Sequence, residues 1–148
     1  MAAPATQRAV RPNIDAAVAR SFTRLTALLF LAFGAVHGLL TVLGGEARWS
    51  APAYEVALQI PGAPESWGAV LLAASLLGVV GFAARLLPVI MLGFAGCAVW
   101  ATCFALCVGL VAARNPGVGW GGVATWTFMA IMYAACAAAG SRRFHAPT

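Results

Sequence analysis

Four long runs of apolar residues, separated by short polar or Gly/Pro-rich connections, dominate the chain: 25–43, 67–87, 89–111 and 121–140. Each is close to the ~20 residues that an α-helix needs to cross the ~30 Å hydrocarbon layer of a bilayer. Apart from Arg85 near the end of the second run, none contains a charged side chain. Within hydrocarbon no water is present to satisfy main-chain N–H and C=O groups, so segments of this kind must be helical. The pattern predicts an all-α fold: an integral membrane four-helix bundle.

The connections refine this picture. Residues 1–12 are rich in Ala, Pro and Arg without apolar periodicity and are expected to form a flexible tail. From Asn13, a good N-cap, Ile14, Ala17, Val18 and Ser21 recur at helical spacing opposite Arg20, Thr23 and Arg24. A short N-terminal interfacial helix should therefore run into the first span. That span is too long for a signal-peptide core and lacks a small-residue cleavage site after it, so it is expected to be retained. It stops at Gly44-Gly45. In the loop 44–66, Pro52 and Pro61-Gly62 bracket a segment where Tyr54, Ala57, Leu58 and Pro61 fit an amphipathic helical turn on the bilayer surface, or else a short strand. The link from Arg85 to Pro88 is short enough to make spans two and three an antiparallel hairpin, with Pro88 in a first helical turn. Arg114-Asn115-Pro116-Gly117 is a turn signal before span four. The bundle thus occupies 13–143, with a tail at 144–148.

Composition excludes the soluble alternative. Of 148 residues 62% are apolar, and the mean hydropathy is +0.89; a soluble domain of this size would have too little polar surface to cover itself. The net charge of +5 comes entirely from arginine. These arginines flank the apolar runs rather than forming one patch, which points to lipid headgroups and not to nucleic acid. With the N-terminus in the cytoplasm, inner segments hold Arg8, Arg11, Arg20, Arg24, Arg85, Arg142 and Arg143, and outer loops only Arg48 and Arg114. The positive-inside rule then sets both termini on the cytoplasmic side of the cytoplasmic membrane. Arg24, Arg85, Arg142 and Arg143 are expected as inner anchors, and Trp49, Trp67 and Trp120 as an outer aromatic belt.

Candidate chemistry is sparse. His37 is an ionisable group within a span, and such residues invite a functional reading; Glu46 and Glu65 are its possible partners in a polar outer site. The alternative is a neutral histidine bonded to a neighbouring helix. No span holds Asp, Glu or Lys, which disfavours ion-coupled transport, and no nucleophile, metal or phosphate motif occurs. The chain is accordingly read as a non-enzyme with no catalytic residue, metal or cofactor. Cys97, Cys103, Cys107 and Cys136 all lie in apolar runs and suit packing better than disulfides. Gly34 and Gly38, in a GxxxG step, together with Gly78, Gly93 and Gly96, suit close helix packing, within one chain or in a homo-oligomer.

The passage Pro52-Ala-Tyr54 through Pro61-Gly62-Ala-Pro64-Glu-Ser-Trp67-Gly68, set between a first span and three more, resembles small four-span membrane proteins of actinobacterial phages. The Lys-free, Ala/Arg/Gly-rich composition is similar too. The resemblance covers about Arg24 to Arg143 and implies a holin-like role, in which helix packing or oligomerisation breaches the bilayer; it supplies no catalytic residue. A highly charged C-terminal tail, common in holins, is here only Arg142 and Arg143. Two other functions fit the residues: a non-catalytic interaction or exclusion module that binds a protein partner through the acidic loop 44–66, and a small transporter or redox-associated membrane protein using His37.

Overall fold

The computed structural model describes the backbone of residues 6–144 and the side chains of 18–19 and 21–140. Among the described residues all of the regular structure is helical: α1 (Thr6–Arg48), a 3-10 turn at Pro52–Tyr54, α2 (Glu55–Leu58), α3 (Glu65–Ala84), α4 (Leu87–Arg114) and α5 (Gly121–Phe144). Four stretches are long and apolar enough to cross a membrane: Ser21–Arg48, Glu65–Ala84, Leu87–Arg114 and Gly121–Gly140.

The first helix extends past its expected N-terminal limit. It starts at Thr6 rather than Asn13, so the stretch expected to be flexible is helical from Thr6 onward, and it joins the predicted interfacial helix and first span in one rod. Ala, Gln and Arg, all strong helix formers, occupy this extension. At the other end the helical geometry breaks where expected, at Gly44-Gly45. Gly45 takes φ 49 and ψ −148, a conformation open to glycine, and the chain kinks there before a last turn to Arg48. The α3–α4 turn needs only Arg85 and Leu86. Arg85 adopts the left-handed region (φ 58) at the C-cap of α3, while Leu86 N–H donates to Gly81 O at 2.9 Å, closing a Schellman-type end. Pro88 then sits in the first turn of α4.

Packing runs α1 on α3, α3 on α4 and α4 on α5, and Tyr133 of α5 closes the ring by donating its hydroxyl to Phe30 O of α1 at 3.0 Å. The α1–α3 and α3–α4 contacts are backbone-close because glycines meet there. A Cβ added at Gly38 would lie 2.7 Å from Leu72 N and 2.8 Å from Gly68 O; one at Gly93 would lie 2.5 Å from Gly78 N. In lipid no hydrophobic driving force pulls helices together, so such van der Waals fit is what holds them.

The outward face is as apolar as the inward one. Leu29, Phe33, Val36, Val80, Leu92, Val99, Leu106 and Ile131 are all exposed. For a water-soluble bundle this would be a very large uncovered apolar surface; for a bundle in hydrocarbon it is the required exterior.

Candidate functional site

The most structured region outside the bare bundle is one end of it, where the connection 49–64 folds back over the helices as a cap. Its anchor is Trp49, 2% exposed, which stands directly after α1, and its floor is Ala57, fully buried in α2. One indole N–H ties the cap to the bundle, and a second ties α4 to α3 directly beneath it. Trp67 Nε1 donates to Ala57 O at 2.9 Å, and Trp100 Nε1 donates to Trp67 O at 2.7 Å. Both bonds are buried, where an unpaired N–H would be costly.

Phe104, 1% exposed on α4, is the centre around which the cap packs. Its ring stacks on Trp100 (centroids 5.0 Å apart, 11° between planes) and meets Trp49 and Trp126 at 5.1 Å, Trp67 at 5.5 Å and Tyr54 at 5.8 Å. Aromatic pairs of these geometries add about 0.5–1.5 kcal/mol each beyond burial. The cap is therefore an aromatic lid, and the helical turn expected within it is present as Pro52–Tyr54 and Glu55–Leu58, with Ala57 and Tyr54 turned onto the bundle. Trp49 and Trp67, expected as interface anchors, are instead turned into the protein; of the three belt tryptophans only Trp120 is exposed, at 60%. The reason is the edge-to-face packing of both rings on α4, whose face carries Trp100 and Phe104 at i,i+4, with the Trp67 indole bonded to Ala57 O and the Trp67 carbonyl accepting from Trp100. Sequence position at the edge of an apolar run does not distinguish a tryptophan facing lipid from one facing a partner helix.

His37 lies on the inner side of this cluster. Its ring is edge-on to Trp126 at 4.9 Å and to Trp100 at 6.3 Å, and stacks with Phe33 at 5.9 Å. Among the described residues no hydrogen-bonding group reaches the imidazole. The nearby Thr41 hydroxyl donates to the His37 carbonyl at 2.9 Å, not to the ring. Glu65 comes close to Gly45, with Oε1 3.3 Å from where a Cβ would stand, and so lies beside Glu46 at the α1 kink. His37 is nine residues back along α1, about 13 Å deeper by helical rise. The expected trio thus divides: Glu46 and Glu65 share the cap end, both exposed, and His37 sits apart in an aromatic box.

Of the glycines expected to serve packing, Gly34, Gly38, Gly78 and Gly93 lie at interhelical crossings, and Gly96 faces Ala74, whose Cβ would be 3.0 Å from an added one. Gly68, Gly81 and Gly140 make similar approaches, to α1, to Ile90 and to Met91 respectively. Gly34 faces two polar groups, Ser75 Oγ and Tyr133 Oη. Ser75 is fully buried and bonded to Cys97 Sγ at 3.4 Å, so a small polar knot of Ser75, Cys97 and Tyr133 links three helices behind Gly34. Serine and tyrosine in these positions were not singled out from sequence; their signal is a polar residue within an apolar run, which says nothing of its partner. All four cysteines are free thiols. Arg24 and Arg85 are exposed, and the side chains of Arg142 and Arg143 lie outside the described residues. Among the described residues no group of three His, Cys, Asp or Glu is gathered as a metal site.

Comparison with protein-family models, with curated proteins and with solved structures finds no match.

Proposed function

We propose that the protein is a multi-pass component of the cytoplasmic membrane, a non-catalytic module that offers its cap to a protein partner outside the membrane. The observation that carries this reading is the fixed cap. A connection in a helical bundle needs roughly 2–8 residues, and longer ordered loops held by their own side chains are the ones that tend to serve function. Here the 49–64 segment has a buried floor, an indole hydrogen bond from Trp67 to Ala57 O, and Trp49 and Tyr54 packed on Phe104, while Glu46, Glu55 and Glu65 stay exposed. A preformed surface loses little entropy on binding, and three carboxylates favour a partner with basic groups or N–H donors. The orientation rests on the arginines: seven fall in segments on the side opposite the cap and two beside it, which by the positive-inside rule sets the cap outside and both termini in the cytoplasm. The test is chemical cross-linking in intact cells with the chain carrying Glu46→Gln, Glu55→Gln and Glu65→Gln together. Loss of a cross-linked partner supports the reading; an unchanged set of partners rules it out.

A holin-like role is the second reading, and one observation favours it. α5 is the least covered of the four long helices, and it exposes the small residues Ala134, Ala135 and Ala139 to neighbours in the bilayer, a face suited to lateral association. Gly34 and Gly38 are engaged inside the chain, so oligomerisation would have to use α5. Membrane depolarisation on controlled expression, abolished by Ala135→Leu, would support it; intact potential at high protein levels excludes it.

A further inference from the structure

A groove of about 570 Å³ opens between α4 and α5 on the outside of the bundle. Its walls are Thr102, Ala105, Leu106, Gly109 and Leu110 of α4 and Val123, Thr127, Ala130, Ile131 and Ala134 of α5, with Trp120 at one end. Thr102 donates its hydroxyl to Ala98 O within its own helix at 2.8 Å, so this wall presents methyl groups and not free donors.

Two features select an occupant. The first is length. The groove covers nine residues of α4 (102–110) and twelve of α5 (123–134), about 12 and 17 Å by helical rise, which brackets half of the ~30 Å hydrocarbon layer. It starts at the 115–120 turn and closes near the middle of both helices. A docked helix would need a seam along the whole span, whereas an acyl chain of one leaflet needs this much and no more. The second is charge. Arg114 follows Leu110 by one turn on the same side of α4, is exposed, and among the described residues has no carboxylate within ion-pair distance. By helical spacing it lies one turn beyond the lining, toward the end that Trp120 closes, and the largely exposed Trp120 indole carries an N–H donor. Basic groups at the mouth of an interhelical groove favour anionic headgroups, and Trp suits the headgroup level.

From this we infer that the α4–α5 groove holds one anionic phospholipid of the cap-side leaflet, its acyl chain between Gly109 and Ala130 and its phosphate at Arg114 and Trp120. The inference rests on the membrane reading above. It concerns a lipid retained with the protein, distinct from the changing lipids around every membrane helix.

The test uses the full chain in phosphatidylcholine vesicles containing phosphatidylglycerol with a photoactivatable diazirine in its acyl chain. Cross-linked peptides from 102–110 and 123–134, several-fold enriched over the exposed faces of α1 and α3, are the expected result. Gly109→Leu together with Ala134→Leu, which fills the groove at open or exposed positions, should remove that enrichment. Arg114→Gln should lower the preference for phosphatidylglycerol over a phosphatidylcholine probe by about fivefold. Even labelling of all four helices, or enrichment unchanged in the filled variant, would overturn the inference while leaving the membrane reading intact. Cross-links between two copies at Gly109→Cys in place of lipid adducts would overturn it in favour of a second chain. Flotation of the same sample separates the remaining case, because a chain that does not float with the vesicles refutes both readings.

Discussion

The indole of Trp100 donates to the main-chain carbonyl of Trp67 at 2.7 Å, and the indole of Trp67 donates in turn to Ala57 O. This relay runs from the middle of α4, across the start of α3, into the short helix α2. It makes the cap part of the bundle core, and its removal should be felt in the cap first.

Trp67→Phe keeps most of the ring contact with Phe104 and deletes the bond to Ala57. The expected cost is about 1 kcal/mol, concentrated locally. Hydrogen exchange should show faster exchange of amides in 50–64 while those of α3 and α4 stay protected. Equal acceleration throughout the bundle would mean that the cap is not a separate layer.

Phe104→Ala removes the ring that five aromatic neighbours share. A loss of about 3–5 kcal/mol is expected, against less than ~2 kcal/mol for Phe104→Leu, measured by denaturant titration in detergent micelles with tryptophan fluorescence as the signal.

Gly34 supplies a sharper test of packing, because its would-be Cβ meets Ser75 Oγ and Tyr133 Oη rather than backbone. Gly34→Ala should destabilise the bundle, and adding Ser75→Ala with Tyr133→Phe should restore part of the loss, since the obstructing atoms are then gone. Such non-additivity is expected for residues in contact. Gly93→Ala, opposed by the Gly78 backbone, should not be rescued by any side-chain change. Gly121→Ala, with nothing within 4 Å of the new methyl, should be neutral or slightly stabilising.

His37 separates a packing role from a chemical one. With rings on three sides, His37→Phe should preserve stability and any captured partner, whereas His37→Ala leaves a hole and costs about 2 kcal/mol or more. If His37→Phe abolishes a transport or redox phenotype while the fold persists, the polar-site reading of this residue returns.

What was legible in the sequence is the part set by one-dimensional hydrophobicity. The run 121–140 coincides with the apolar stretch Gly121–Gly140 of α5, and the Arg85–Pro88 link is a tight helix–helix turn. The last apolar position of a run was a poorer guide than the backbone. Span two, read to 87, yields its final residues to the turn because Arg85 takes the left-handed conformation, whereas the break expected at Gly44-Gly45 is there, with one further turn to Arg48 after it. The site was hidden for a different reason. The spacing of Phe94, Cys97, Trp100, Phe104 and Val108 marks one face of α4, and all five are buried, but which segments cover that face depends on helix order, which periodicity does not encode. Trp49 and Trp67 therefore read as interface residues, although three-dimensionally they belong with Phe104. In the structure the His37 ring contacts Phe33, Trp100 and Trp126, while Glu65 approaches the Gly45 kink, neighbours that nearness along one helix does not reveal.

The most direct measurement is position-by-position accessibility in intact cells and membranes, with the four native cysteines changed to alanine and single cysteines introduced. Gln59→Cys and Asn115→Cys, exposed at the cap end, should react with a water-soluble maleimide added outside the cell. Leu29→Cys, Val99→Cys and Ile131→Cys, exposed but apolar in their surroundings, should resist that reagent and react with a lipid-soluble carbene. Ready maleimide labelling of Val99→Cys in folded protein, or recovery of the chain without membranes or detergent, would contradict a bundle immersed in hydrocarbon.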